Sequence, residues 1–481
     1  MGLVFFKQKY KTVLFPNLSL ELFGAVFMKS VNRCLLCIVL LLPFMSVAIA
    51  DYKTDIGYAD LKALLGANMP TGAGVKVIQV EAGETAYAPN TTNLQFSGKI
   101  FRFPDAASIS PSDHATWVGS LFYGAYSMAP GIRTITSYEA AGWLKSLGSS
   151  FPDGSRIANQ SWSGNGNDAS QTGMILRLVD RQVQRKELIQ VVAMSNGADV
   201  KALLSSAYNV VAVGRSIGNL DYGSKSVDLV YGAGRTRPDV VVSESTTSAA
   251  APEVAAVAAL LVETGHKGAL KLSRSSTVVS GVGTVYNAER ATTIKAALMA
   301  GADRVTNNRL GKGDISDYRS SGHQTSNGLD DRFGAGQVNV LHSYQIIAAG
   351  EQNSMEDGGV NGGTIGLNGF DYDHAFGGYL NSNKIATYKF HATRGSKLSA
   401  SLVWNINVAN DGTLRTGLPN MNLELFDVTT QTISAFSGSE IDNTENIRVD
   451  LVAGHSYALL VTSGEANNFS WNYSLAWHIG R

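Results

Sequence analysis

The sequence predicts an α/β domain of three layers around a mainly parallel sheet, followed by a C-terminal β-sandwich. Three observations carry this expectation. Short β-branched runs such as Val75 to Val80 and Val191 to Ala193 end in an acid, an amide or a glycine, as parallel strands buried on both faces do. Helical segments alternate with them: Asp113 to Ser120, the long apolar stretch after Ser248, and the amphipathic Thr293 to Met299. Beyond Phe370 the period changes to two, in Ala400–Trp404, Leu423–Asp427, Ile447–Leu451 and Tyr457–Val461, with turn residues between them.

The chain opens on a targeting signal. Met28 to Arg33 is a basic start, Cys34 to Phe44 an apolar core, and Ala48-Ile49-Ala50 a small-x-small cleavage pattern before Asp51. Residues 1–50 are therefore read as a signal region, with Met28 as the expected true start and cleavage after Ala50. An uncleaved anchor helix is the competing reading, but the apolar run is short against the roughly 20 residues of a membrane span. Cys34 and Cys37 both fall inside this segment, so the exported protein is expected to form no disulfide. The Leu35-Leu36 pair before Cys37 argues against a lipoprotein anchor. The expected destination is a periplasm or the medium, with no stable membrane anchor after cleavage.

Residues 51–350 are read as the α/β domain. Tyr58 to Leu65 is its first helical stretch, and the run Val75 to Gly83 delivers the carboxylate of Glu81 at a strand's C-terminal end, where open α/β sheets place their chemistry. At Thr246 to Val254 a hydroxyl, Ser248, stands in a small-residue turn opening a buried helix, as an acyl-transfer nucleophile requires. Ser or Thr ahead of alanines is equally an ordinary N-cap. Thr306 to Asp331 is rich in Gly, Ser, Asn and Asp and reads as a long surface loop. Phe333 to Asn339 then forms a turn ahead of a last helix to about Ala349, residues 351–369 a linker, and residues 370–481 the β-sandwich.

Four of these segments resemble, in the same chain order, those of the subtilisin-like serine peptidases. Val75 to Gly83, after Thr71-Gly72-Ala73-Gly74, is similar to the strand carrying the family's acid. Asp113-His114-Ala115-Thr116-Trp117-Val118-Gly119-Ser120, followed by Met128-Ala129-Pro130-Gly131, resembles its His-Gly-Thr-His-Val-Ala-Gly helix start and Ala-Pro turn. Val191 to Gly197 resembles the segment of the oxyanion asparagine, and Thr246 to Val254 the Gly-Thr-Ser-Met-Ala-Ala-Pro-His-Val serine segment. The resemblance implies Glu81 as triad acid, His114 as general base, Asn196 as oxyanion donor and Ser248 as nucleophile. Glu84 and Asp113 are the other candidates for the acid. A serine hydroxyl needs an imidazole to take its proton, and a carboxylate on the far ring nitrogen fixes the tautomer. Such chemistry calls for no cofactor and no metal.

Ile157 to Gly164 resembles the family's substrate-pairing strand, implying that Ser161, Trp162, Ser163 and Gly164 line a groove for extended peptide. Trp162 reads equally as a core aromatic. The chain departs from the family in carrying glutamate for the usual aspartate, in Ala115, Trp117, Ser195 and Ala249, and in a compressed stretch from Arg237 to Ser245. The short interval between Ala50 and the first strand leaves no room for the folding propeptide common in the family. The β-sandwich loosely resembles accessory domains of secreted bacterial peptidases, as a stabilising module or as a binding one.

Of the 481 residues, 44% are hydrophobic and 50 are glycine, which fits loop-rich globular structure. Lys and Arg number 39 against 39 Asp and Glu, so neither nucleic acid nor an anionic membrane is implied as a partner. The expected function is that of a secreted serine endopeptidase acting on proteins or peptides. A catalytically impaired, subtilisin-like peptide-binding protein is the alternative. An esterase of the nucleophile-elbow type would present its motifs in a different order.

Overall fold

The computed structural model describes residues 52–83, 86–104, 109–148, 154–197, 201–219, 222–357, 363–377, 384–464 and 469–480. The signal region and Glu84 lie outside the described residues. Seven strands build the central sheet: β1 (Val77–Glu81), β2 (Ile100–Arg102), β3 (Thr134–Glu139), β4 (Ile157–Gln160), β5 (Ile189–Ala193), β6 (Val211–Arg215) and β7 (Val240–Val242). Their order is β2-β3-β1-β4-β5-β6-β7, and every neighbouring pair is parallel. β1, β4, β5 and β7 are buried along their whole length, hence their lack of polar alternation. The chain leaves β1 on one side to make β3 and returns on the other to make β4. That reversal is a switch point of the kind at whose strand carboxyl ends, here those of β1 and β4, open α/β sheets place their ligands.

Helices cover both faces: α1 (Tyr58–Leu65), α2 (Asp113–Phe122), α3 (Ala140–Ser146), α4 (Ala169–Lys186), α5 (Thr247–Lys267), α6 (Ala291–Ala300) and α7 (Val340–Ala348). Strand alternation in β1 decides which helices meet which side chains. Val77 shares a core with Phe122, Ala255, Ile294 and Ile347, whereas Ile78 and Val80 pack with Trp143, Leu176 and Val179 on the opposite face. Of the described helices only α5 is long and apolar enough to cross a membrane. Since 94% of its apolar window is buried inside the fold, its apolarity is that of a core helix.

Gly334 turns the chain back beneath β7 with a φ of +61°, and the Pro238 carbonyl lies 2.2 Å from where a Cβ would sit. Ala335 N–H then donates to Asp239 O and Val338 N–H to Val241 O, locking the predicted closing turn to the sheet. The stretch 306–331 is largely an exposed loop up to Ser326 and turns inward at residues 327–330. Asn327 is fully buried, bonded to Thr236 and Thr444, because its amide satisfies polar groups where this stretch meets the C-terminal part.

The C-terminal part holds β8 (Asn368–Phe376), β9 (Ile385–His391), β10 (Ser396–Trp404), β11 (Met421–Asp427), β12 (Thr432–Ser437), β13 (Thr444–Leu451), β14 (Ser456–Ser463) and β15 (Trp471–Gly480). They form two antiparallel sheets, β8-β15-β10-β13 and β9-β14-β11-β12. Leu398, Leu402, Trp404, Leu475 and Trp477 of the first meet Tyr388, Leu423, Leu425, Leu459 and Val461 of the second in one sandwich core. The other face of the first sheet is partly covered by the α/β unit. Val403 and Ala476 join the core of the α/β unit, and Ser474 Oγ bonds the hydroxyls of Thr292 and Thr293 at 2.8 and 2.9 Å. All ten residues of α6 are consequently buried. The predicted linker, over its described residues, is tied down as well. Glu351 N–H donates to Leu272 O, Gln352 N–H to Phe370 O and Met355 N–H to Thr387 O, and β8 already begins at Asn368.

Candidate active site

Glu81 is the last residue of β1, buried at 2% exposure, with its side chain turned toward α2. His114 is the second residue of α2, whose start is capped by Ser112 Oγ accepting from Ala115 N–H. Strand end and helix start meet there, and His114 Nδ1–H donates to Glu81 Oε2 at 2.8 Å. A glutamate therefore reaches the imidazole that a strand-end aspartate would serve in the resembling family. Burial is the largest influence on His114 and favours its neutral form. The hydrogen bond and charge of Glu81 together outweigh it, so the imidazole titrates above its ordinary value of 6.5.

The other oxygen of Glu81 is also held. Gln79, two residues earlier and so on the same face of β1, donates from Nε2 to Glu81 Oε1 at 3.0 Å and to Ala115 O at 2.8 Å. Tyr123 Oη–H donates to Gln79 Oε1 at 2.5 Å. Neither Gln79 nor Tyr123 figures among the residues expected from the sequence. The available signal was an amide in the middle of a buried parallel strand, at the spacing that shares a face with the acid.

Ser248 is the second residue of α5. The capping role open to it falls instead to Thr246, whose Oγ1 accepts from Ala249 N–H at 3.2 Å. Pro252 stands one turn on and has no N–H for the carbonyl of Ser248. Ser161 Oγ–H fills that vacancy, donating to Ser248 O at 3.2 Å, while Ser248 Oγ–H lies 3.5 Å from Ser161 O. Asn196 follows β5, and its Oδ1 accepts from Thr247 N–H at 3.0 Å. Thr247 Oγ1–H donates to Met194 O at 2.6 Å, fastening the same two elements together. The amide oxygen of Asn196 is thereby committed to α5, and side chains satisfy the Thr247 and Ala249 N–H groups of its first turn.

The predicted groove residues divide. Ser161 is brought to Ser248, and Ser163 is half-buried. Trp162, just past the end of β4, points the other way. It packs with Ile78, Trp143 and Leu203, and its indole N–H donates to Gln160 Oε1 at 2.7 Å, so its place is in the core. Gly164 is paired with the chain's own backbone, donating to Leu203 O at 3.3 Å and accepting from Leu203 N–H at 3.0 Å. Trp117, 41% exposed, lies with its ring 5.9 Å from that of His114. Asp113 is on α2 beside His114, whose Nδ1 is taken by Glu81. Among the described residues no group of three or more His, Cys, Asp or Glu side chains is gathered as a metal site.

No protein-family model matches the sequence, and no curated protein does. Solved structures do resemble it. The prenylagaramide maturation protease PagA is similar at 19% identity, over 60% of this chain and 98% of that one, with a TM-score of 0.40. A cold-adapted subtilisin-like serine proteinase is similar at 17% identity, over 51% of this chain and 89% of that one, with a TM-score of 0.33. The pre-peptidase C-terminal domain of a Bacillus anthracis collagenase is similar at 20% identity, over 24% of this chain and 91% of that one, with a TM-score of 0.18.

Proposed function

We propose that this chain is an exported serine endopeptidase that cleaves peptide bonds through an acyl-enzyme. The observation that carries the reading is the 2.8 Å bond from His114 Nδ1–H to Glu81 Oε2. A proton held on Nδ1 leaves Nε2 as the basic nitrogen, the tautomer required to take a proton from a serine hydroxyl. Ser248 attacks the scissile carbonyl, His114 accepts its proton and returns it to the leaving amine, and Glu81 stabilises the imidazolium. The Asn196 side-chain amide N–H and the backbone N–H of Ser248 receive the oxyanion, since the Thr247 and Ala249 N–H groups are already bonded. Backbone of Ser161 to Ser163 pairs with the extended substrate, and the chain's own pairing at Gly164 ends that edge. Export follows from the signal region, and amino-terminal sequencing of the mature protein at Asp51 checks it.

A peptide-binding protein with impaired chemistry is the second reading. It is favoured by the 5% exposure of Ser248 and the direction of its hydroxyl toward the Ser161 carbonyl. Labelling with a fluorophosphonate probe separates the two. The peptidase reading expects Ser248 to be labelled, and Ser248→Ala to abolish labelling and lower casein hydrolysis by several orders of magnitude with the fold intact. Equal hydrolysis by parent and variant sinks it.

A further inference from the structure

We infer that Gln79, itself fixed by Tyr123, is a positioning residue that clamps the triad carboxylate and the histidine-bearing turn in one geometry. The inference rests on the peptidase reading for its consequence, but not for its geometry. A glutamate has one more torsion than an aspartate, so a carboxylate at the end of β1 needs a second restraint to present one oxygen steadily to an imidazole. Gln79 supplies it: one Nε2–H goes to Glu81 Oε1 and the other to Ala115 O, the residue after His114. One amide thus binds the acid on the strand and the backbone of the helix that carries the base.

The orientation of that amide is decided by its surroundings. A flipped Gln79 would set its oxygen against two acceptors, the Glu81 carboxylate and the Ala115 carbonyl, and its N–H group against Tyr123. Tyr123 is fully buried, and burial together with the charge of Glu81 pushes its phenol far up, so it remains a donor wherever the enzyme works. Space for the contact comes from Gly119. A Cβ there would stand 2.5 Å from Tyr123 Oη and 3.1 Å from Gln79 Oε1. Every polar atom of the Gln79 side chain is accounted for by this arrangement.

The test compares the full-length parent with Gln79→Leu, which keeps volume and removes both donors, and with Tyr123→Phe. Two readouts are taken: kcat and KM across pH, and the titration of the His114 ring followed by NMR, which needs no turnover. The clamp predicts that Gln79→Leu lowers kcat about 10- to 100-fold, leaves KM within about twofold, and shifts the His114 midpoint downward as Glu81 loses its hold. Tyr123→Phe moves both readouts the same way by less. Parental kcat and an unmoved midpoint in both variants overturn the inference, as does a loss of thermal stability alone. If Gln79→Leu does not fold, Tyr123→Phe decides by the same criteria. A parent that neither hydrolyses casein nor labels at Ser248 removes the peptidase reading instead, and the His114 midpoint still judges the clamp.

Discussion

Glu81→Gln is the substitution whose outcome the site determines most closely. The new amide has an oxygen and an N–H group to distribute between two neighbours. Gln79 Nε2 is a donor already held by Ala115 O, so the oxygen of residue 81 is drawn to it and the N–H group is left facing His114 Nδ1. Two donors cannot share that contact. The imidazole is then driven to carry its proton on Nε2, where it cannot accept one from Ser248. A triad held in the wrong tautomer loses about 10,000-fold in kcat, or about 5 kcal/mol of barrier. The pH profile moves as well. The hydrogen bond and charge of Glu81 that raise His114 disappear while the burial that lowers it persists, so the inflection passes from above 6.5 to below it. Glu81→Asp shortens the side chain by about 1.5 Å, stretching both the His114 and the Gln79 contacts, and retains part of the activity only where β1 can shift. The assay is kcat/KM against pH for these variants and Asp113→Asn. A near-parental Glu81→Gln enzyme with an unmoved inflection refutes the assignment of the acid. An equal loss in Asp113→Asn points to general destabilisation.

Asn196→Ala is expected to lower kcat about 100- to 1000-fold with little change in KM, because its N–H contact forms mainly in the transition state; steady-state kinetics on a peptide amide check it, and an effect confined to KM would make Asn196 a substrate contact. Stability should respond to pH through the sandwich. Burial, reinforced by neighbouring carboxylates, raises both Asp371 and Asp373 from 3.8 to about 8. A carboxyl raised on folding contributes fully below its unfolded value and loses that contribution as pH rises through its folded one. Tm should therefore fall between pH 4 and about 8, and Asp371→Asn, which keeps an acceptor for Tyr388 Oη–H, should flatten the slope. Melting curves at several pH values decide it, and an unchanged slope counts against the assignment.

Glu81 and His114 were legible in the sequence because each stands at an element boundary, a strand end and a capped helix start, which local patterns mark well. Their meeting at 2.8 Å follows from where β1 and α2 deliver them. Gln79 is not legible in the sequence because its contacts are with Tyr123 and Ala115, residues 44 and 36 positions away that only the folded chain brings near. Trp162 stayed ambiguous for a related reason. An extended backbone sets Ser161 and Trp162 on opposite sides, but the sequence does not say which side Ser248 comes to. The stretch 351–369 reads as a linker from its Gly, Asn and Asp content, yet composition says nothing of backbone pairing with Leu272, Phe370 and Thr387. The period-two strands mark a sandwich, whereas the small side chains Ser474 and Ala476 on its outer face carry no sequence signal of the α/β core they touch.

The burial of α6 on both sides sets an order on biosynthesis. A ribosome makes Ala291–Ala300 well before β10 and β15, the strands whose outer faces cover it. Until those strands exist, the helix presents an apolar side to whatever surrounds the nascent chain. The core of the unit that carries Glu81, His114 and Ser248 is therefore completed by strands made well after α6, of which β15 supplies Ser474 and Ala476.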